Sequence, residues 1–228
     1  PSPKVKIIAV TATATASTRK TIMDILFMKN PYLISESPFK TNITYFVQYM
    51  PNDQTIDYYF KWLRDDLMTQ QKDFPRTIIY CQTIKQCSLI YLMLKSMLGD
   101  MIYADETKNP RNVIIEMLHS CSPQANKETV LQAFQQEDSG LKVLVATIAF
   151  GMGINCKGVQ RTIHFGPAKN IEAHIQETGR AGRDGKQSVS YVIYQGILLS
   201  HVNKDIKEYV KTEECRRRAI RKFLKMNF

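Results

Sequence analysis

Arg180 and Arg183 stand three residues apart, each directly after a glycine, in the stretch QETGRAGRDG at residues 176–185. Three residues is about one helical turn, so both guanidiniums can face the same way. The glycines remove side-chain bulk and let another surface approach closely. A planar guanidinium offers a fork of donors that suits phosphate oxygens, so recognition of a phosphate is the chemistry these residues fit. On its own the stretch also reads as a glycine-rich turn with solvated charges. Further polar groups stand at the ends of apolar runs. Thr11, Ala12 and Thr13 follow residues 5–10, Thr83 and Lys85 follow residues 78–81, and Thr147 closes residues 142–146, with Gly151, Gly153 and Asn155 just beyond. Open α/β sheets hold their ligands at such strand ends. For Thr83, capping of the following helix competes with ligand contact.

Three of these stretches carry a family likeness. VATIAFGMGIN at residues 145–155, followed by QETGRAGRDG, resembles motifs V and VI of superfamily 2 helicases, and the wording looks like the RecQ family of DNA helicases. TATAT at residues 11–15 resembles helicase motif III. The resemblance implies an ATP-dependent 3′–5′ DNA helicase, with ATP bound between two RecA-like domains. It implies that Arg180 and Arg183 reach across to the phosphates and that Gln176 orients the site. Gly151, Gly153 and Gly179 would line the nucleotide, and Asn155, where many relatives have aspartate, would lie near the ribose. Thr83, Lys85 and Thr147 would hold the backbone of single-stranded DNA, with duplex junctions as the substrate. Thr11, Ala12 and Thr13 would link the nucleotide site to the DNA path. Lys40-Thr41 stands where RecQ proteins carry arginine-proline. His119 matches a strand-end histidine of that family, but Ser120, Cys121 and Ser122 depart from the pattern, and its role stays open.

No GxxxxGK[ST] and no DExH box occurs in the 228 residues. Those elements supply the phosphate cradle and the magnesium carboxylate. In the resembled family they precede motif III, so ATP and Mg2+ are expected to bind only with a missing first domain, and the 228 residues alone are expected to be inactive. The chain starts without methionine and runs into a buried-looking strand, as a piece of a longer protein would. Cys215 with Arg216, Arg217 and Arg218 resembles the start of the RecQ zinc-binding subdomain. Zinc takes four ligands, so Zn2+ is expected only in a longer chain, with Cys215 as its first ligand. An inert nucleic-acid- or partner-binding RecA-like module and an RNA-directed superfamily 2 helicase are the competing functions.

Composition agrees with an anionic partner. Lys+Arg number 31 against 21 Asp+Glu, a formal charge of +10, which favours nucleic acid. Residues 204–228 alone hold nine Lys/Arg and four Asp/Glu. Cys81, Cys87, Cys121, Cys156 and Cys215 are odd in number and form no CxxC, which suits a reducing compartment; the nucleus follows from the family likeness. No run of 18 apolar residues is present, so no membrane partner is expected.

These groups need elements to hold them. Residues 5–10 read as a strand and 17–28 as a helix burying Ile22, Ile25 and Leu26. Residues 31–51 read as a strand followed by an inter-domain linker. Ile56, Tyr59, Phe60, Leu63 and Leu67 fall at helical spacing, predicting a helix over 55–72. Strand-like runs at 78–81, 113–118, 142–146, 163–167 and 188–194 alternate with helices ending near 98, over 123–134, after a cap at Asn170, and over 197–210; residues 99–112 are irregular. The alternation predicts an α/β fold with a parallel sheet flanked by helices, and the family likeness makes it RecA-like, of the helicase C-terminal P-loop NTPase type. The expected division is 1–50 for the end of a first RecA-like domain and a linker, 51–210 for the second RecA-like domain, and 211–228 for the start of a zinc-binding subdomain.

Overall fold

A computed structural model describes residues 6–11, 13–34, 40–109, 112–136, 139–147 and 156–224. Six strands form one parallel sheet: β1 (Ile43–Tyr49), β2 (Arg76–Cys81), β3 (Ile115–Leu118), β4 (Val143–Thr147), β5 (Val159–Phe165) and β6 (Ser188–Tyr194), in the order β1-β6-β5-β2-β4-β3. The helices are α1 (Ala16–Ile25), α2 (Ile56–Gln70), α3 (Ile84–Leu98), α4 (Gln124–Gln135), α5 (Ile171–Thr178), α6 (Lys204–Lys211) and α7 (Arg216–Leu224). The predicted α/β architecture is therefore the observed one.

Both faces of the sheet are covered, and the period-two alternation of the strands sorts their side chains. Ile79 and Cys81 of β2, with Val143 and Val145 of β4, pack under Phe60, Leu63, Ile90 and Leu94 of α2 and α3. Ile78 and Tyr80, with Leu144 and Ala146, face the other way, toward Val130 and Phe134 of α4. Val192 of β6 packs with Ile171, Ile206, Tyr209 and Ile220 of α5, α6 and α7. Burying a side chain such as Leu63 or Phe60 stabilises by roughly 1.5–3 kcal/mol each, which is why these short strands hold.

Four expectations change. Residues 6–10 form no strand and are exposed, because β-branched residues need a partner strand and none lies beside them among the described residues. The expected helix after them is α1, capped by Thr15, whose hydroxyl accepts from Thr18 N at 3.2 Å; yet none of its residues is fully buried, Ile22 and Leu26 being half-buried and Ile25 exposed. Residues 43–49 do not lead into a linker but form the outer strand β1, paired along its length with β6. The helix expected over 197–210 breaks into a 3-10 turn, Gly196–Leu199, and α6.

Candidate nucleotide and nucleic-acid site

The sequence-predicted residues separate onto the two ends of the strands. α5 starts beyond the carboxyl end of β5, where Asn170 Oδ1 accepts from Ala173 N at 2.8 Å. It runs back across the sheet and delivers the arginine stretch to the amino end. There Gly182 N donates to Val159 O at 2.9 Å, at the first residue of β5.

The arginines do not share a helical face. α5 stops at Thr178, and turn bonds from Arg180 N to Glu177 O and from Ala181 N to Thr178 O follow. Within this turn Gly182 has a φ of +61°, a conformation other residues rarely adopt, and a Cβ there would lie 2.4 Å from Asn42 Nδ2. The turn gives the two side chains different settings. Arg180 is only 7% exposed, whereas Arg183 is exposed. Arg180 lies against Cys156; burial pushes that thiol's pKa up, partly offset by the charges of Arg180 and Arg183. Gly179 is the cap of α5, and its carbonyl accepts from Lys40 Nζ at 2.8 Å.

Beneath the turn is a buried polar chain. His164 Nε2 and Glu177 Oε2 share a hydrogen bond of 2.8 Å, and the His164 ring stacks on Tyr80 at 5.0 Å. His174 lies 5.0 Å from His164, ring centre to centre, and its Nε2 is 3.3 Å from the Tyr209 hydroxyl. Burial, then the neighbouring His164, holds His174 well below its ordinary pKa. Arg76, buried at the first residue of β2, anchors the same end. It donates to the carbonyls of Ala133, Phe134, Leu141 and Lys157 and to Ser139 Oγ, at 2.7–3.4 Å.

The middle of α5 meets the segment carrying Thr11 and Thr13. Gln176 Nε2 donates to Thr13 Oγ1 at 2.9 Å, and Thr11 Oγ1 donates to Thr13 O at 2.9 Å. One turn earlier, Glu172 Oε1 accepts from Thr15 N at 2.6 Å and Thr18 Oγ1 at 2.7 Å, so a carboxylate from α5 sits at the start of α1. Anions are favoured there. Glu172 was not among the predicted site residues. Its spacing of four from Gln176 puts both on one helix face, and that was the available signal.

Thr83, Lys85 and Thr147 gather at the carboxyl end. Cys81 and Thr147 are partners in the β2–β4 register, and Thr83 follows two residues later. Thr83 forms a capping box: its Oγ1 accepts from Gln86 N at 3.2 Å while Gln86 Oε1 accepts from Thr83 N at 3.1 Å. Its hydroxyl hydrogen remains a donor for an outside acceptor. Lys85, in the first turn of α3, is exposed, whereas Thr147 is 7% exposed. Gln82 ties this end together, donating to Pro167 O at 2.8 Å and Leu198 O at 3.0 Å. His119 N donates to Ser122 Oγ at 3.0 Å, a turn contact. Ala12, Gly151, Gly153 and Asn155 lie outside the described residues.

The amino end suits phosphate rather than a divalent cation. Its carboxylates are engaged, Glu177 with His164 and Asp184 with Lys186 N at 3.1 Å. Cys215 is exposed, and N–H groups of Arg218 and Arg217 at the start of α7 hold its thiol below the usual range. Among the described residues no group of three or more His, Cys, Asp or Glu could hold a metal ion.

Residues 58–185 match the family described as Helicase conserved C-terminal domain. The chain is 31% identical to the ATP-dependent DNA helicase RecQ of Haemophilus influenzae over 94% of its own length and 34% of the relative's. It is 27% identical to the bifunctional 3'-5' exonuclease/ATP-dependent helicase WRN of Mus musculus over 96% of its length and 16% of that protein's. The chain thus spans about a third or less of these relatives. Among solved structures, a variant of S. cerevisiae Dbp5 bound to RNA and ADP BeF3 superposes with a TM-score of 0.62 at 18% identity, covering 90% of this chain and 49% of that one. Mss116p bound to ssRNA and AMP-PNP gives 0.59 at 18% identity, covering 82% and 31%. These two likenesses speak to the fold, a RecA-like sheet, and the sequence identities show RecQ helicases among the relatives; the chain belongs to the helicase C-terminal domain family.

Proposed function

We propose that this chain is the second RecA-like half of an ATP-dependent, 3′–5′ RecQ-type DNA helicase, and that ATP binds between its amino end and a facing domain outside these 228 residues. The observation that carries the reading is one helix with two attachments. α5 ends in the turn that exposes Arg183, and its Gln176 holds Thr13 at 2.9 Å.

In ATP hydrolysis, water attacks the γ-phosphorus and the bond to ADP breaks, so negative charge must be balanced on the phosphate oxygens. Arg183 supplies that charge when the cleft closes, and the buried Arg180 braces the turn and adds to the positive field. Gln176 fixes α5 against the Thr11–Thr13 segment, which relates nucleotide state to the DNA path. Gly179 keeps the helix end compact, and Gly151, Gly153 and Asn155 complete the nucleotide side. Thr83, Lys85 and Thr147 hold the phosphates of a single strand at the opposite end, a contact without sequence preference. Mg2+ is assigned to the facing domain and Zn2+ to ligands that join Cys215 in the longer protein. We propose that the domain boundary falls before Lys40, a reading supported by the pairing of β1 with β6.

The test uses the longer protein. Arg183→Ala should lower ATP turnover and unwinding of a 3′-tailed DNA duplex by roughly 10³–10⁵, with ATP and single-strand binding kept within about tenfold. Turnover within a few-fold of the parent would sink the reading. Unwinding of tailed RNA but not DNA would move it to an RNA-directed helicase.

A further inference from the structure

The arginine turn is gripped from outside its own element. Lys40 Nζ donates to Gly179 O at 2.8 Å and Ala181 O at 3.0 Å. Asn42 Nδ2 donates to Gly182 O at 3.0 Å and Lys186 O at 2.7 Å, and Asn42 O accepts from Ser188 N at 2.8 Å. Two side chains thus engage carbonyls on both sides of Arg180 and Arg183, about 140 residues further along the chain. The gripping segment is itself fixed: Arg217 of α7 donates to Thr41 O at 3.2 Å and Ile43 O at 2.8 Å. Gly182 fits only because it has no Cβ to meet Asn42.

We propose that Lys40 and Asn42 are positioning residues for the arginine turn, fixing where Arg183 points when ATP is bound. The proposal rests on the role given above to Arg183. A turn held by backbone bonds alone could rotate its carbonyls, and the guanidinium at its tip would swing with them. Two donors on each side chain remove that freedom before substrate arrives. Lys40 adds a second effect. Its hydrogen-bond partners are neutral carbonyls, so its charge persists beside Arg183 and adds to the field that a phosphate meets. Burial and Arg183 together lower its pKa, with Asp184 opposing.

The test is made in the longer protein with three variants. Lys40→Met should lower kcat for ATP by about 10²-fold, the cost expected of a misplaced catalytic group, while KM for ATP and affinity for single-stranded DNA change less than about threefold on the scale of one lost contact. Lys40→Arg, which keeps charge and donors, should return kcat to within about threefold of the parent. Asn42→Asp, which loses the amide donors, should follow Lys40→Met. The urea midpoint of each variant is measured alongside. A Lys40→Met protein with normal kcat overturns the proposal, as does one whose lower activity tracks a lowered midpoint and is not rescued by arginine. Arg183→Ala made in parallel separates the two ideas. If Arg183→Ala abolishes turnover and Lys40→Met does not, only the positioning role fails; if neither matters, the function reading fails.

Discussion

The two ends of this parallel sheet are built differently. At the carboxyl end, Thr83 is held by Gln86 three residues away and Lys85 is exposed in the first turn of the same helix. At the amino end, the arginine turn is held by Lys40 and Asn42, and Arg76 gathers carbonyls from segments some 60–80 residues away. A sequence-independent grip on a flexible strand tolerates local construction, since a phosphate can be met by a swinging lysine. A group that must meet one transition state tolerates little displacement. Under the roles proposed for the two ends, the difference in construction matches the difference in precision each would supply.

That contrast can be broken by experiment, most sharply in turnover. Arg183→Ala and Lys85→Ala in the longer protein should diverge: the first loses roughly 10³–10⁵ in ATP turnover, and the second mainly weakens DNA binding and lowers the salt slope by about 1. Equal effects on turnover would dissolve the distinction. Stability comes next. Arg76→Met strands several buried carbonyls and should cost about 3 kcal/mol in urea unfolding of the 228-residue chain. Thr83→Ala, at the other end, removes one cap and should cost about 1 kcal/mol; a larger loss there than at Arg76 would reverse the comparison.

The smallest effect expected is in pH. His174 is neutral in the fold, with a pKa well below its ordinary 6.5. The unfolded chain therefore takes up a proton first as pH falls. Stability from this group is present above pH 6.5 and is lost as pH drops toward the folded-state value. His174→Gln should flatten that acid-side loss in midpoints measured between pH about 7 and 5, and an unchanged slope would remove His174 as its source.

Much of the fold was legible because its signals are local. The spacing of Tyr59, Phe60, Leu63 and Leu67 marked α2, the apolar runs marked β2 and β4, and Asn170 marked the start of α5. What was not legible depends on partners distant in sequence. Residues 6–10 look like a strand, yet strand formation is decided by a neighbour. Residues 43–49 looked like an approach to a linker because β6 lies far downstream. In the site, residue types pointed to phosphate chemistry at Arg180 and Arg183, but their unequal exposure arises in a turn after α5 that helical spacing does not describe. The grip of Lys40 had no periodicity to announce it, and Glu172 was visible only as a neighbour of Gln176 on one helix face.

The pairing of β1 with β6 also sets a timetable. Ile43 is placed opposite Ser188, about 145 residues later in the chain. At roughly 5–20 residues per second of synthesis, an interval on the order of ten seconds separates the emergence of the two strands. During it β1, with Phe46 and Tyr49 on its surface, is an open edge of the kind that recruits other strands. β2, β3, β4 and β5 can assemble in that time; the edge strand cannot. Lys40 and Asn42 wait with it, since the carbonyls they grip are made just before β6. The arginine turn is thus among the last features of the molecule to be fixed, and its geometry certifies that the sheet has closed.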